Sequence, residues 1–270
     1  MPGGAISRWQ NDAAGSPMRM EHVSILPYPA HLLIDTDHNL AFTAIYGSGA
    51  VSVIQMSADG LLESVVQTLT YGEGCRDASH PHEIVRLGDI VWVVDLGCDA
   101  VYNYKIEGNQ LQYVGKAELE AGAGPRHMAV NEDKNLVYLL CELKNFLLIF
   151  SYDEAGSLQQ LEQVEFANVD GQAGGEIMLS ADKKHVYASS RGDGIISVYN
   201  VDGNSLAKIQ EVQLAGTWPR SFDIAGAVML VADKNGDSVQ ILSIDETSGM
   251  LTEGGTIDTT AAPAFVKIFY

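Results

Sequence analysis

Positive charge is scarce in this 270-residue chain, where 16 Lys+Arg stand against 35 Asp+Glu for a formal net charge of −19. A surface of that sign repels nucleic acid and anionic membranes, so neither is expected as a partner. Long apolar runs are missing too, and none approaches the roughly 18–20 residues that a helix needs to cross a bilayer. Segment 1–12 has neither a basic n-region nor an apolar h-region, so it does not read as a signal peptide. Cysteine is limited to Cys75, Cys98 and Cys141. Their odd number and wide spacing suggest neither a disulfide framework nor a CxxC motif, and a reducing cytoplasm is the expected compartment. No P-loop and no Gly-x-Ser-x-Gly elbow occur, and the glycines around Gly122 and Gly124 lack the third glycine and the helix of a dinucleotide fingerprint. His80, His82 and Glu83 lie close together, but an alternating strand puts both histidines on one side with no third ligand nearby. Neither a metal nor an organic cofactor is expected.

What the chain does have is a repeat. Segments starting at 29, 81, 125, 175, 219 and 263 each open on Pro or Gly and run through two short apolar strands. The units are therefore 52, 44, 50, 44 and 44 residues apart. That length holds four short strands with turns, and a period of this size means stacked units or a ring. The unit at 125 reads as strands over 126–130, 136–141, 146–152 and 158–165. Polar turns rich in Asp, Asn and Gly separate them. No helical periodicity is sustained anywhere. The expected fold is all-β, a β-propeller of four-stranded blades in one domain spanning 1–270. Segment 263–270 reads as an innermost strand, and segments 5–10 and 20–26 as two outer strands of a blade. About six blades are thus represented.

The first strand of a propeller blade lines the channel, so residues just after its start face the channel mouth. Counted from each opening Pro or Gly, that position holds Ala30, His82, Arg126, Glu176, Arg220 and Ala264. The end of the second strand holds Ile45, Asp95, Glu142, Arg191 and Asp233 or Lys234. Each of these alone could be a solvated turn residue or an interblade ion pair. As a set they sit at two equivalent positions, and four of the 16 basic residues fall there. A converging Arg/His/Glu cluster suits an anionic small molecule. Arg offers planar paired donors, His exchanges protons near neutral pH, and a carboxylate orients or accepts a proton. His80 and His127 lie beside these positions on the first strands.

At this point the motifs resemble a known family. The stretch from Ser79 through His82 to Asp95 and Asp99, Gly124-Pro-Arg-His127 with Glu142-Leu143, Gly175-Glu176-Ile177 with Ser190-Arg191-Gly192, and Pro219-Arg-Ser-Phe222 are similar, in order, to motifs of the lactonase family of seven-bladed propellers. That family includes 6-phosphogluconolactonases and carboxymuconate cyclases. The resemblance implies a channel site of His, Arg, Glu and Arg. These fall on His82 (His80 being the second candidate), Arg126, Glu142 and Arg191; beside them, the reading of the repeats offers His80, Asp95, His127, Glu176, Arg220 and Lys234 as substrate-binding residues. It further implies a metal-independent lactone hydrolase acting on a small anionic sugar lactone. A lactonising cyclase and a non-catalytic binding platform are the alternatives. The chain departs from the family at Ile45, Cys141 and Ser190, where the family has Asn, and its first strands have no counterpart here. The oligomeric state is not legible.

Overall fold

The computed structural model describes residues 3–72, 75–76, 78–144, 146–166, 174–259 and 261–269. Within them the chain forms antiparallel strands in strict sequence order. A two-stranded sheet, β1 (Gly4–Asn11) with β2 (Pro17–Ile25), comes first. The second sheet is β3 (His31–Asp35), β4 (Leu40–Ile45), β5 (Ala50–Met56) and β6 (Leu62–Thr70). The third is β7 (Pro81–Leu87), β8 (Ile90–Asp95), β9 (Ala100–Glu107) and β10 (Gln110–Glu118). The fourth is β11 (Pro125–Asn131), β12 (Leu136–Cys141), β13 (Phe146–Tyr152) and β14 (Leu158–Glu165). The fifth is β15 (Gly174–Leu179), β16 (His185–Ser190), β17 (Ile195–Asp202) and β18 (Ser205–Gln213). The sixth is β19 (Pro219–Ala225), β20 (Val228–Asp233), β21 (Ser238–Ile244) and β22 (Leu251–Asp258). Each four-stranded sheet is a simple meander, the blade of a β-propeller. The only helix among the described residues is the single 3₁₀ turn Tyr46–Ser48.

Local chemistry explains the meander. The middle strands are the most apolar, and β4 and β12 are buried along their whole length. The last strand of each blade alternates or is exposed, as in β22, where only Leu251 is buried. Left-handed residues recur at equivalent turns: Asn39 and Asn135 precede the second strand, and Asp99 and Asp237 precede the third. Asn and Asp tolerate that conformation because their short side chains bond locally.

The chain divides into two compact units, Met1–Ala121 with Glu154–Ser157, and Gly122–Asp153 with Leu158–Tyr270. In the first unit, Val23 and Ile25 pack with Ala41, Ile45 and Ile54, and Phe42 and Val53 pack with Val93 and Tyr104. In the second, Tyr138 and Leu147 pack with Val186 and Tyr199, and Tyr187 and Ile196 pack with Phe222 and Val231. Every such cluster joins two successive blades. Burying an apolar side chain of this size stabilises by about 2 kcal/mol, so blade-on-blade packing is the main cohesive term within each unit.

Two expectations are corrected. Residues 261–269 form no strand. A strand needs a ladder partner, and among the described residues this segment has none. It is tied to β19 by side-chain bonds, with Lys267 Nζ 3.0 Å from Asp223 Oδ1 and the Ile268 amide donating to Asp223 Oδ2 at 2.7 Å. The cysteines are also not all unpaired. Cys75 and Cys98 form a disulfide across 23 residues, and the buried Cys141 is not disulfide-bonded. Sequence spacing could not reveal the pair, because the β7–β8 hairpin brings its two flanks together in space.

Candidate functional site

The first and second strands of the third, fourth and sixth blades share one irregularity. Pro81 pairs with Asp95 but Glu83 with Val94; Pro125 pairs with Cys141 but His127 with Leu140; Pro219 pairs with Asp233 but Ser221 with Ala232. One extra residue therefore bulges from each first strand, and it is His82, Arg126 or Arg220. A β-bulge re-aims the side chain it carries, and bulges concentrate beside functional sites. In the fifth blade Gly174 pairs with Ser190 and Ile177 with Ala188, so its irregularity falls across Gly175 and Glu176. Gly174 is thus the counterpart of Pro125. Gly175 then corresponds to Arg126 and Glu176 to His127, one position from the expected alignment. A side chain on Gly175 has no room, since an added Cβ comes within 2.4 Å of Ser189 Oγ and 2.6 Å of Pro219 O.

The second unit gathers the charges. Arg126 is 2% exposed, and burial pulls its pKa down to about 10, a fall that Glu142 opposes and Arg191 reinforces. It remains cationic at neutral pH. Its Nε donates to Glu142 Oε2 at 2.9 Å, and its Nη1 donates to the Gly175 carbonyl. Glu142 reaches the other way as well: its Oε1 lies 3.0 Å from Arg191 Nη2. One carboxylate thus holds two guanidiniums side by side. Arg191 is 4% exposed, and its Nε and Nη2 are buried without an aligned hydrogen bond. Its guanidinium carbon stands 5.4 Å from the centre of the Trp218 ring, a cation–π contact. Beside Arg126, the His127 Nδ1 bonds Glu176 Oε1, and its Nε2 faces Arg126 Nη1 at 3.3 Å. Arg220 is close enough to Arg126 to lower its pKa, and Lys234 is exposed.

Glycine chemistry sets the entry to Arg126. Gly124 has φ +59°, and an added Cβ would come within 2.5 Å of the Leu143 side chain. The Glu142 amide donates to the Gly124 carbonyl at 2.7 Å, which fixes the strand end that carries the carboxylate. The corresponding bonds run from Leu96 to the His80 carbonyl at 3.1 Å and from Lys234 to that of Trp218 at 3.1 Å. The counterparts of Glu142 are therefore Leu96 and Lys234. Asp95 corresponds instead to Cys141 and Asp233, which corrects the expected equivalence of Asp95 and Glu142.

In the first unit, His82 is buried at its bulge, edge-on to Tyr46 with ring centres 5.9 Å apart. His80 stacks on the other aspect of Tyr46 at 4.3 Å, and its Nδ1 bonds the Tyr46 carbonyl at 2.9 Å. Asp95 is fully buried. Its Oδ1 accepts the amides of His80 (2.8 Å), Gly97 (3.0 Å) and Cys98 (3.1 Å), and its Oδ2 accepts the Ser79 hydroxyl at 2.6 Å. Asp95 thus clamps the entry to β7.

The structure brings Arg126, His127, Glu142, Glu176 and Arg191 together, with Arg220 nearby. It places His80 and His82 around Tyr46, and leaves Lys234 on the surface. Two aromatic residues escaped the repeat comparison. Tyr46 reads as part of a turn, and Trp218 precedes the motif proline. The only signal for them was their place immediately next to the equivalent positions. Among the described residues no group of three or more His, Cys, Asp or Glu side chains is arranged to hold a metal ion.

Comparison with known proteins places the chain in a family. The 6-phosphogluconolactonase of Bacillus subtilis is 27% identical over 99% of this chain and 81% of its own length. That of Pectobacterium carotovorum is 28% identical over 89% and 74% respectively. A crystal structure of a Lactobacillus plantarum protein superposes with a TM-score of 0.90 at 30% identity, covering 97% of this chain and 81% of that one. The periplasmic gluconolactonase of Pseudomonas aeruginosa gives a TM-score of 0.88 at 26% identity, covering 97% and 79%. The model of one family matches residues 3–268, so this chain belongs to the lactonase family of seven-bladed β-propellers.

Proposed function

We propose that the chain hydrolyses a small anionic sugar lactone, with 6-phosphogluconolactone as the first substrate to test. The observation that carries this reading is Arg191: a buried guanidinium whose Nε has no hydrogen-bond partner among the described residues, held through Nη2 by Glu142 beside a second guanidinium. Lactone hydrolysis passes through a tetrahedral oxyanion, and donors fixed in advance at that oxygen are the largest source of acceleration in such reactions. In this reading Arg126 and Arg191 receive the oxyanion or the substrate's anionic group, and Arg220 and Lys234 add charge recognition. Glu142 keeps the two cations adjacent and is one candidate to accept a proton from water. His82 is the other candidate base, on the family resemblance, with His80 behind it. The reaction needs no metal and no organic cofactor.

One propeller domain over 1–270, without a nucleic-acid or membrane partner, is part of the same proposal. So is a cytoplasmic setting, where a phosphorylated sugar is retained. A Cys75–Cys98 bond found intact in the native protein would argue for an oxidising compartment instead. The test is the hydrolysis rate of freshly prepared 6-phosphogluconolactone above its spontaneous rate, beside the Glu142→Gln variant. An excess that the variant loses supports the reading. No excess from folded wild-type protein overturns it for this substrate, and the same assay on gluconolactone separates a different lactone from a non-catalytic propeller.

A further inference from the structure

Arg126 and Arg191 are both buried and both touch Glu142, but the rest of their surroundings differ. Arg126 is held by hydrogen bonds that use up donors: its Nε goes to Glu142 and its Nη1 to the Gly175 carbonyl. Arg191 is held in another way. Its Nη2 lies 3.0 Å from Glu142 Oε1, its Nε has no hydrogen-bond partner among the described residues, and its guanidinium carbon stands 5.4 Å from the centre of the Trp218 ring. Its stem runs past Gly175, where an added Cβ would come within 3.4 Å of Cγ.

The Trp218 ring starts from a fixed point. Its amide donates to Asp233 Oδ1 at 3.0 Å and its carbonyl accepts the Lys234 amide at 3.1 Å. The following Pro219 disfavours a helical backbone at Trp218. The third blade repeats this plan. There Asp95 Oδ1 accepts the His80 amide at 2.8 Å, the His80 carbonyl accepts the Leu96 amide at 3.1 Å, and Pro81 follows. The His80 ring stacks on Tyr46, the residue after the second strand of the preceding blade. The Trp218 ring lies against Arg191, which is also the residue after the second strand of the preceding blade. Twice, then, a buried aspartate fixes the residue ahead of a motif proline, and the ring of that residue meets one equivalent position of the blade before.

A guanidinium has five N–H donors and no acceptor, so each hydrogen bond to the protein removes a donor from ligand recognition. An aromatic face attracts the cation through its ring electrons and takes no donor. We propose that Trp218 is a positioning residue that holds Arg191 in place while leaving its donors to an anionic ligand. Arg191 is then the guanidinium whose hydrogen bonds remain for the anion, and Arg126 contributes charge from a fixed position. Rotation removed in advance is an ordering cost that the ligand does not meet, about two- to tenfold in affinity for one long side chain. This assignment deepens the lactonase reading and rests on it only for its kinetic test.

Trp218→Leu and Trp218→Phe are the discriminating pair, since leucine fills space without a ring face and phenylalanine keeps one. The probe is sulfate, titrated by calorimetry at constant ionic strength, with the urea midpoint as the check on folding. Trp218→Leu should bind sulfate about two- to tenfold more weakly than the wild type, and Trp218→Phe should stay within about twofold of it. Wild-type tryptophan emission should change along the same titration, and the emission of Trp218→Phe should not. Trp9 and Trp92 belong to the first unit, so loss of the change assigns it to Trp218. In the lactone assay kcat/KM should fall about 100-fold in Trp218→Leu and about tenfold in Trp218→Phe. Sulfate that fails to bind the wild type, that binds Trp218→Leu as tightly as the wild type, or that binds Trp218→Phe as weakly as Trp218→Leu overturns the proposal. So does a wild-type emission indifferent to bound sulfate, a result that decides the matter even where the leucine variant does not fold. If the wild type hydrolyses no lactone, the functional reading falls, and sulfate binding still decides the role of Trp218.

Discussion

The third and sixth blades differ instructively from the fourth and fifth at the last residue of the second strand. In the third and sixth it is Asp95 or Asp233, both fully buried. Each turns back to the start of its own first strand, where Asp95 accepts the His80 amide and Asp233 accepts the Trp218 amide at 3.0 Å. Asp233 also excludes side chains around it, since a Cβ on Gly216 or Gly236 would overlap its carboxylate. In the fourth and fifth blades the position holds Cys141 or Ser190, and the residue after it is Glu142 or Arg191. The same place in a blade therefore has two uses. With aspartate it closes a loop by satisfying buried amides. With a small residue there, the neighbouring side chain carries the charge of the candidate site. A buried acid in a repeat is thus not evidence of chemistry until its partners are known, because backbone amides and guanidiniums make opposite claims on it.

Four experiments sharpen that contrast. The largest effect is expected for Glu142→Gln, which sets an amide against two guanidiniums. Lactone turnover should fall on the order of 10²–10⁴-fold, the urea midpoint should fall as well because two buried cations lose their counter-charge, and normal turnover in the folded variant would remove Glu142 from the mechanism. Asp95→Ala should act on stability within its own blade. It leaves buried amides without an acceptor, so the denaturation midpoint should drop by an amount equivalent to about 4 kcal/mol. A stable Asp95→Ala protein would show that the clamp is dispensable. The third effect depends on pH. Burial lowers the pKa of Arg126 to about 10, so affinity for a competing anion that does not itself titrate in this range, such as sulfate, should fall about tenfold per unit above that value and stay level below it. The sign for stability follows from the same shift. Above pH 10 the unfolded chain holds a proton that the folded one lacks, so this group's contribution to stability rises with pH up to the ordinary arginine range. An anion affinity that stays flat across pH 10 would contradict the buried cation. The smallest effect is expected for Cys141→Ala, which removes only a buried thiol and should change stability by about 1 kcal/mol, measured in the same denaturation assay.

Much of the blade plan was legible because it rests on local rules. The strands over 136–141, 146–152 and 158–165 are read from apolar runs between Asp, Asn and Gly turns, and the structure has them at those bounds. The bulged residues His82, Arg126 and Arg220 were legible because each follows a motif proline. Registers were harder. Gly174 and Gly175 offer two equally plausible starts, and only the pairing of Gly174 with Ser190 separates them. Asp95 and Glu142 are both acidic and both close a strand, so composition cannot reveal that one faces amides and the other arginines. The Cys75–Cys98 pair and the failure of 261–269 to join a ladder depend on what lies nearby in space, which no local pattern encodes. The contacts of Tyr46 and Trp218 are hidden for the same reason.

The placement of the arginines has a kinetic consequence. An anionic substrate approaching this protein meets a net charge of −19 before it meets Arg126 or Arg191, both of which are buried. The long-range field therefore opposes capture, and the attraction acts only at close quarters. Added salt, which shortens the reach of surface charge to about 8 Å at physiological ionic strength, screens the exposed acids more than the buried cations. Capture of an anion should accordingly speed up as ionic strength rises from low values, the opposite of the steering seen where a basic surface draws its ligand in. The protein would then work as a filter that admits anions by contact and not by attraction from a distance.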